Sequence, residues 1–255
     1  MYSKIVPHIK KAGKLLKKGL KQEKNVRMKA KQQYLTDFDI QLEKLLVDAI
    51  KKYFPTHSIL GEETGFYKGN SDYCWYIDPV SNTRNFIHGL PGFAIAVGLM
   101  KGKLPVFGAV YDPMLDEMFT GEKGKGAYCN SEKISVSRVS VLQHSFINAD
   151  WQKRKTQKEI DEGVKIFTSL GRKSTIRAVG SVALMICYVG AGRMEAMVNN
   201  YSDKYAVVPA WIILEEAGGK LKDLKEKKWD LDSQSTAATN GYIDEIMFKE
   251  LKWLS

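Results

Sequence analysis

The stretch Cys74-Trp75-Tyr76-Ile77-Asp78-Pro79-Val80-Ser81-Asn82-Thr83-Arg84-Asn85-Phe86 restricts the fold more than any other. An apolar run feeds an aspartate, a proline blocks a helix at that point, and a Ser-Asn-Thr triplet then offers a helix cap. This layout places a carboxylate at the end of a buried strand, next to the free N–H groups that open a helix. Such a corner suits a metal and a phosphate held together, and that chemistry needs further carboxylates from elsewhere in the chain.

The surrounding pattern is mixed α and β. Residues 4–22 and 39–54 read as helices, the second begun by Thr36-Asp37 and stopped near Pro55. In the first, Ile5, Ile9, Ala12, Leu15, Leu16 and Leu20 recur at helical spacing, which predicts an amphipathic helix docked on the core. His-Ser-Ile-Leu-Gly-Glu-Glu, ending at Glu63, is a short strand closed by acids. From Phe93 to Asn130, strand-like runs alternate with Gly and Asp-Pro turns, so an antiparallel meander is expected. A polar, lysine-rich stretch follows at 151–163, and then helix and strand alternate. The run from Gly180 to Gly192 predicts a helix closed by glycines. Residues 207–224 predict a helix that stops at Gly218-Gly219 and leads into a strand. The chain of 255 residues thus divides into an N-terminal α+β half, 1–140, and a C-terminal α/β half, 141–255.

Composition narrows the function. No run of about 18 apolar residues is present, so no membrane span is expected. The N-terminus lacks the apolar centre of a secretory signal. Cys74, Cys129 and Cys187 are odd in number and widely spaced, as free thiols in a reducing cytoplasm would be. Four scattered histidines argue against zinc. The net charge is +10, and residues 1–31 carry eleven Lys or Arg against the single acid Glu23. That field attracts phosphorylated metabolites, nucleic acid or anionic surfaces, although no RNA-binding motif accompanies it.

The acids that answer the Asp78 corner are Asp39, Glu62 and Glu63. With these residues in place the sequence resembles the inositol monophosphatase family over nearly its whole length. Six motifs carry the resemblance: LTDFDIQLE, GEE, YIDPVSNTRNF, GKGAYCN, RAVGSVAL and AWIILEEAGG. It implies a layered α-β-α-β-α sandwich with an antiparallel sheet in the first half and a mixed sheet in the second. It also implies a homodimer, a small phosphorylated or polyol ligand, Mg²⁺ and no organic cofactor. Some bacterial members of the family take part in transcription antitermination. Carried over by position, Glu62, Asp78 and the carbonyl of Val80 match the ligands of a first metal. Glu63 and Asp39 match acids near the water, with Asp39 paired to Thr83, the residue that orients the nucleophile. Ser81, Asn82, Thr83, Arg84, Gly180, Ser181, Val182 and Asn199 match substrate-side positions.

The departures from the family pattern fall together. The second aspartate of the family's D-P-x-D-G-T is Ser81 here, and the following glycine is Asn82. An ungapped alignment on EEAGG puts Tyr205 and Ala206 at the family's Trp-Asp pair, and Asn199 at a glutamate. Ser81 and Ala206 therefore both stand where a second metal takes its carboxylates. The resemblance leaves Mg²⁺ at one site and predicts conventional hydrolysis lost or altered. Asp203, Lys204 and Arg84 are the nearest charged residues able to compensate.

Overall fold

The computed structural model describes residues 2–30, 33–150 and 156–254. A 3₁₀ turn at Tyr2–Ile5 leads into α1 (Val6–Gly19), whose Pro7 sits in the first helical turn. A two-stranded hairpin, β1 (Arg27–Ala30) and β2 (Gln33–Leu35), separates it from α2 (Asp37–Tyr53). These helices start and end within a few residues of the expected bounds. Ile5, Ile9, Ala12 and Leu16 are wholly buried, and Leu15 and Leu20 are half-buried. Lys11, Lys14, Lys18 and Lys21 are exposed on the opposite side.

The larger sheet has eight strands: β3 (Ser58–Gly61), β4 (Gly65–Tyr67), β5 (Tyr73–Ser81), β6 (Ala94–Lys101), β7 (Leu104–Asp112), β8 (Glu117–Glu122), β9 (Gly126–Cys129) and β10 (Glu132–Lys133). Their order is β10-β9-β8-β7-β6-β5-β3-β4. The predicted meander is β6 to β9. The sheet is not wholly antiparallel, because β3 and β5 run parallel. After β4 turns back along one side of β3, the chain crosses to its other side as β5. Short α3 (Thr83–His88) follows β5 directly.

The second sheet is mixed. It contains β11 (Phe146–Asp150), β12 (Thr175–Arg177), β13 (Ala196–Asn199), β14 (Lys220–Lys222) and β15 (Thr236–Thr239), in the order β12-β11-β13-β15-β14. Its helices are α4 (Gln157–Gly171), α5 (Val182–Gly190), α6 (Lys204–Glu216) and α7 (Asp244–Glu250). The polar stretch expected at 151–163 is helical from Gln157 on, because Thr156 and Glu159 cap α4 reciprocally while Gly163, Ile166 and Leu170 face inward. Residues 151–155 lie outside the described residues.

Three apolar clusters hold five layers together. Alternation along β5 sends Trp75 and Ile77 to the α1–α2 side, where they meet Leu42, Leu46 and Ile50. Tyr76 faces the other side, in the core shared with α5 and α6. Beyond the second sheet, Ile166 and Leu170 of α4 pack with Met247 and Phe248 of α7. The expected α-β-α-β-α sandwich is therefore observed, and α6 from the second half lies on the sheet of the first.

That crossing depends on a glycine stripe. Gly98, Gly108 and Gly121 are opposite one another on β6, β7 and β8. A Cβ at Gly98 would come within 2.7 Å of Pro209, and one at Gly121 within 2.8 Å of Ile213. At Gly108 it would collide with the Pro209 carbonyl oxygen. Backbone cannot yield as a flexible side chain does, so Gly108→Ala should destabilise the fold by about 1–3 kcal/mol or more. A lowered midpoint of urea unfolding with an unchanged slope checks this.

Candidate active site

Parallel pairing brings the C-terminal ends of β3 and β5 to the same edge. The Glu62 N–H donates to the Ile77 carbonyl at 3.2 Å, which seats Glu62 beside Asp78. At Asp78 the pairing of β5 with β6 becomes irregular, and regular pairing resumes at Ser81. Asp78 is 3% exposed, and its Oδ1 has no hydrogen-bond partner. Burial, with the Glu62 and Asp203 carboxylates adding to it, pushes its carboxyl well above the usual range.

The turn after β3 is pinned by a residue that the sequence reading passed over. Glu43, fully buried on α2, accepts from the N–H groups of Glu63 at 2.9 Å and Thr64 at 2.6 Å, and from the Thr64 hydroxyl at 2.5 Å. Its signal was present in LTDFDIQLE: it lies four residues after Asp39, an acid on the apolar face carrying Leu42 and Leu46. Asp39 is also buried. Its Oδ2 accepts from the Thr36 N–H at 2.7 Å and the Thr36 hydroxyl at 2.5 Å. The expected pairing with Thr83 is present, with the hydroxyl 3.0 Å from Asp39 Oδ1 and 3.1 Å from the Val80 carbonyl oxygen. Burial raises the Asp39 carboxyl, although the Thr36 and Thr83 bonds oppose this.

Lys29 of β1 was not anticipated. Its ammonium lies 3.3 Å from Glu62 Oε1 and also donates to Glu63 Oε1. Burial alone would lower its pKa, and the two carboxylates more than reverse that. Burial lifts Glu63 to about 7 against the pull of Lys29, with Glu62 adding to the rise.

The phosphate side is built from α3 and α5. Asn82 adopts a left-handed conformation (φ 69°, ψ 60°) that asparagine tolerates better than most residues, which accounts for its standing in a glycine's place. Its side chain accepts from the Asn85 N–H at 3.2 Å. Gly180 (φ +139°) has no room for a Cβ, which would lie 2.5 Å from the Gly92 carbonyl oxygen. Ser181 caps α5 through the Leu184 N–H and donates to the Ser81 hydroxyl at 2.8 Å. The Arg84 guanidinium lies over the Tyr34 ring, 5.3 Å from its centroid.

A cavity of about 640 Å³ collects most of these groups. Glu62, Asp78, Val80, Ser81, Asn82, Thr83, Arg84, Gly180, Ser181 and Val182 line it, as the resemblance implied. Asp39 and Glu63 support the wall from behind. Asn199, also expected on the substrate side, is not in the lining: it ends β13 at 1% exposure, within the second sheet. Lys204 stays outside as well, exposed and over the Tyr205 ring. Asp203 does line the cavity, where α6 begins, and its Oδ1 accepts from the Tyr205 N–H at 3.0 Å. Lys29, Tyr34, Asp150 and Tyr201 complete the rim.

The donor set can be tested against Mg²⁺, which takes oxygen ligands in a near-octahedral arrangement. An unpartnered buried carboxylate oxygen on Asp78, with Glu62, Asp203 and the Val80 carbonyl on the same wall, fits one such cation. A second position does not fit, because Ser81 is neutral and bonded to Ser181 while Ala206 offers no ligand. Among the described residues no three His, Cys, Asp or Glu side chains already converge as a metal cluster.

Such a cavity, in a five-layer sandwich and edged by these motifs, defines a phosphatase-type protein of the inositol monophosphatase class. The model of that family matches residues 1–253, and the chain belongs to the inositol monophosphatase family. It is 36% identical to inositol monophosphatase 1 of Solanum lycopersicum, over 95% of this chain and 91% of that protein. It is 35% identical to the Nus factor SuhB of Pseudomonas aeruginosa, over 78% of this chain and 75% of that protein. The solved structure of a Thermotoga maritima IMPase superposes with a TM-score of 0.89 at 31% identity, covering 97% of this chain and 94% of the other. No helix among the described residues is long and apolar enough to cross a membrane.

Two outcomes follow from the supporting acids. Glu43→Ala strands two N–H groups and a hydroxyl, and each bond to a charged group is worth about 1.5–3 kcal/mol. A drop in the unfolding midpoint is expected, and Glu43→Gln should restore part of it by accepting one bond. Glu63 holds its proton more tightly folded than unfolded, so metal-free stability falls as pH rises from 4.5 to about 7. Thermal melts across that range should be flatter for Glu63→Gln, by at most about 1.4 kcal/mol per pH unit.

Proposed function

We propose that this protein binds a small phosphorylated sugar or polyol in the cavity beside Asp78, and that fast two-metal hydrolysis has been lost. What remains is a slow, single-cation phosphomonoesterase reaction. The observation that carries this reading is the pair of neutral residues at the second cation position. Ser81 offers a neutral oxygen that accepts from the Ser181 hydroxyl, and Ala206 presents a methyl group, where two carboxylates would be required.

A Mg²⁺ ion held by Glu62, Asp78 and the Val80 carbonyl would supply a water of lowered pKa and some charge neutralisation. The remaining work belongs to the chain. Thr83, held by Asp39, positions the attacking oxygen. The N–H groups opening α3 after Asn82, with Ser181 and Gly180, receive the phosphate. Arg84, stacked on Tyr34, adds a permanent positive charge at the rim. Nothing in this set stabilises the leaving alkoxide as a second cation would, and losing one such contribution costs about 10²–10³ in rate. Asp203 is the carboxylate best placed to offset part of that loss, and it shares the cavity wall with Asp78. A homodimer in a reducing cytoplasm fits the family and the free cysteines.

Phosphate release from inositol 1-phosphate, fructose 1,6-bisphosphate and 3′-phosphoadenosine 5′-phosphate, with and without Mg²⁺, tests the reading. The native protein should be slow. Ser81→Asp/Ala206→Asp should gain at least about 10² in rate, and Asp203→Ala should abolish the Mg²⁺-dependent remainder. Rapid native turnover, indifferent to Asp203→Ala, would overturn the proposal.

A further inference from the structure

The net charge of this chain is confined to one end of it. The sequence carries 39 Lys and Arg against 29 Asp and Glu. Residues 1–31 hold eleven of the former and one of the latter, so the rest of the chain is balanced. Five of those cations, Lys10, Lys11, Lys14, Lys17 and Lys18, are on α1, and Lys21 follows in the next turn. The apolar side of α1 is buried in the core, so Lys11, Lys14, Lys17, Lys18 and Lys21 are exposed on the outer layer. Steps of three and four residues put Lys11, Lys14, Lys18 and Lys21 in one stripe. Among the described residues none of these six lysines comes within ion-pairing distance of a carboxylate. No residue of α1 lines the cavity beside Asp78. A helix face that is merely solvated interleaves both signs of charge, and this one does not.

An apolar residue is held in the open beside these lysines. Leu115, in the turn between β7 and β8, is 59% exposed. The turn lies against α1, where the Tyr111 ring and Pro113 both pack on Gly13. It is also pinned from both ends. Asp112 Oδ1 accepts from the N–H groups of Met114 at 2.8 Å and Leu115 at 3.2 Å, and the Tyr111 hydroxyl donates to Asp116 at 2.5 Å. That hydroxyl, and then the charges of Lys10, Lys14 and Lys17, hold the Asp116 carboxyl below its usual range, so three lysines surround the turn. A basic helix face beside a rigidly presented apolar side chain matches the interface of a charged bilayer. We propose that α1 and the β7–β8 turn form a docking surface for an anionic lipid bilayer, with the lysines at the headgroups and Leu115 inserted among them. Nucleic acid suits the face less well. Single strands bind through free aromatic rings, and the exposed Tyr53 in this layer already lies under Lys4 and Lys52 and against His8. The α1 helix has no arginine to grip phosphates in a bidentate way. This docking is independent of the chemistry in the cavity.

Flotation of the full chain tests this with vesicles of phosphatidylcholine alone and of equal parts phosphatidylcholine and phosphatidylglycerol, beside titration of a labelled poly(U) strand. The native protein should float with the anionic vesicles only. It should be released between about 0.1 M and about 1 M salt, as the screening length falls from about 10 Å to about 3 Å. Each lysine at an anionic surface is worth about fivefold in partitioning, so Lys11→Gln/Lys14→Gln/Lys18→Gln/Lys21→Gln should lose about 10²-fold or more. A variant of equal charge with the changes elsewhere, Lys123→Gln/Lys158→Gln/Lys225→Gln/Lys227→Gln, should partition as the native protein does. Leu115→Ser should partition about tenfold more weakly and keep the salt dependence. Unchanged urea midpoints in all three variants establish that the fold is intact. Absence of flotation by the native protein, or equal losses in the two lysine variants, would overturn the proposal. Binding to poly(U) without flotation would assign the face to nucleic acid and overturn it as well.

Discussion

The parallel pairing of β3 with β5 is the constraint on which the site depends. An antiparallel partner would have sent Glu62 and Asp78 to opposite ends of the sheet. The parallel one delivers both to a single edge, and α2 brings Asp39 and Glu43 up beneath them. The result is a concentration of negative charge in a partly buried corner, where two like charges about 4 Å apart repel by about 4 kcal/mol. Such a corner persists only with relief. Backbone and hydroxyl donors satisfy Asp39 and Glu43, burial raises the Glu63 carboxyl to about 7, and Lys29 lies between Glu62 and Glu63. The buried Asp78 Oδ1 is left with no hydrogen-bond partner.

The replacements at the second position are consistent with one another. Without a second cation, any carboxylate at its position would face Glu62 and Asp78 uncompensated, so on the proposed reading neutral residues at both positions are the easier arrangement. The Ser81 oxygen accepts from the Ser181 hydroxyl. Asn82 completes the change by supplying a left-handed residue and a cap for α3 together. Asp203 returns one negative charge to the wall from a different place, the residue before α6 rather than its first turn.

Much of the fold was legible because local pattern and long-range packing agree. An apolar run marks β5, glycines close α5 and α6, and the apolar spacing of α1 matches the face it buries. The stretch quoted around Asp78 carries most of the phosphate side, since Asn82, Thr83 and Arg84 follow the strand directly. Apart from the Asp39–Thr83 pair that the resemblance implied, contacts between distant segments were not legible. Lys29 meets Glu62 across 33 residues through a bulge that no composition marks. Asn199 and Lys204 were placed by counting along an ungapped alignment, and a helix that begins at Lys204 turns one of them outward and leaves Asp203 facing the cavity. Glu43 was quoted within a motif, yet its role depends on a turn 20 residues away.

Thr83 shows how the surviving half of the site divides its work. A hydroxyl has one proton, and here two acceptors lie within 0.1 Å of the same distance: Asp39 Oδ1 at 3.0 Å and the Val80 carbonyl oxygen at 3.1 Å. Donation to Val80 occupies the carbonyl that would ligate a cation, and leaves Asp39 with donors on Oδ2 alone. Donation to Asp39 frees the Val80 carbonyl and leaves the lone pairs of Thr83 to accept a hydrogen bond from the attacking oxygen. On the proposed reading, Val80 would hold a cation only when Thr83 donates to Asp39, the orientation that suits a nucleophile. The half of the site that generates and aims the attacking oxygen is in this way internally coupled. The half that would receive the departing alkoxide has been replaced by a serine, a methyl group and a relocated aspartate.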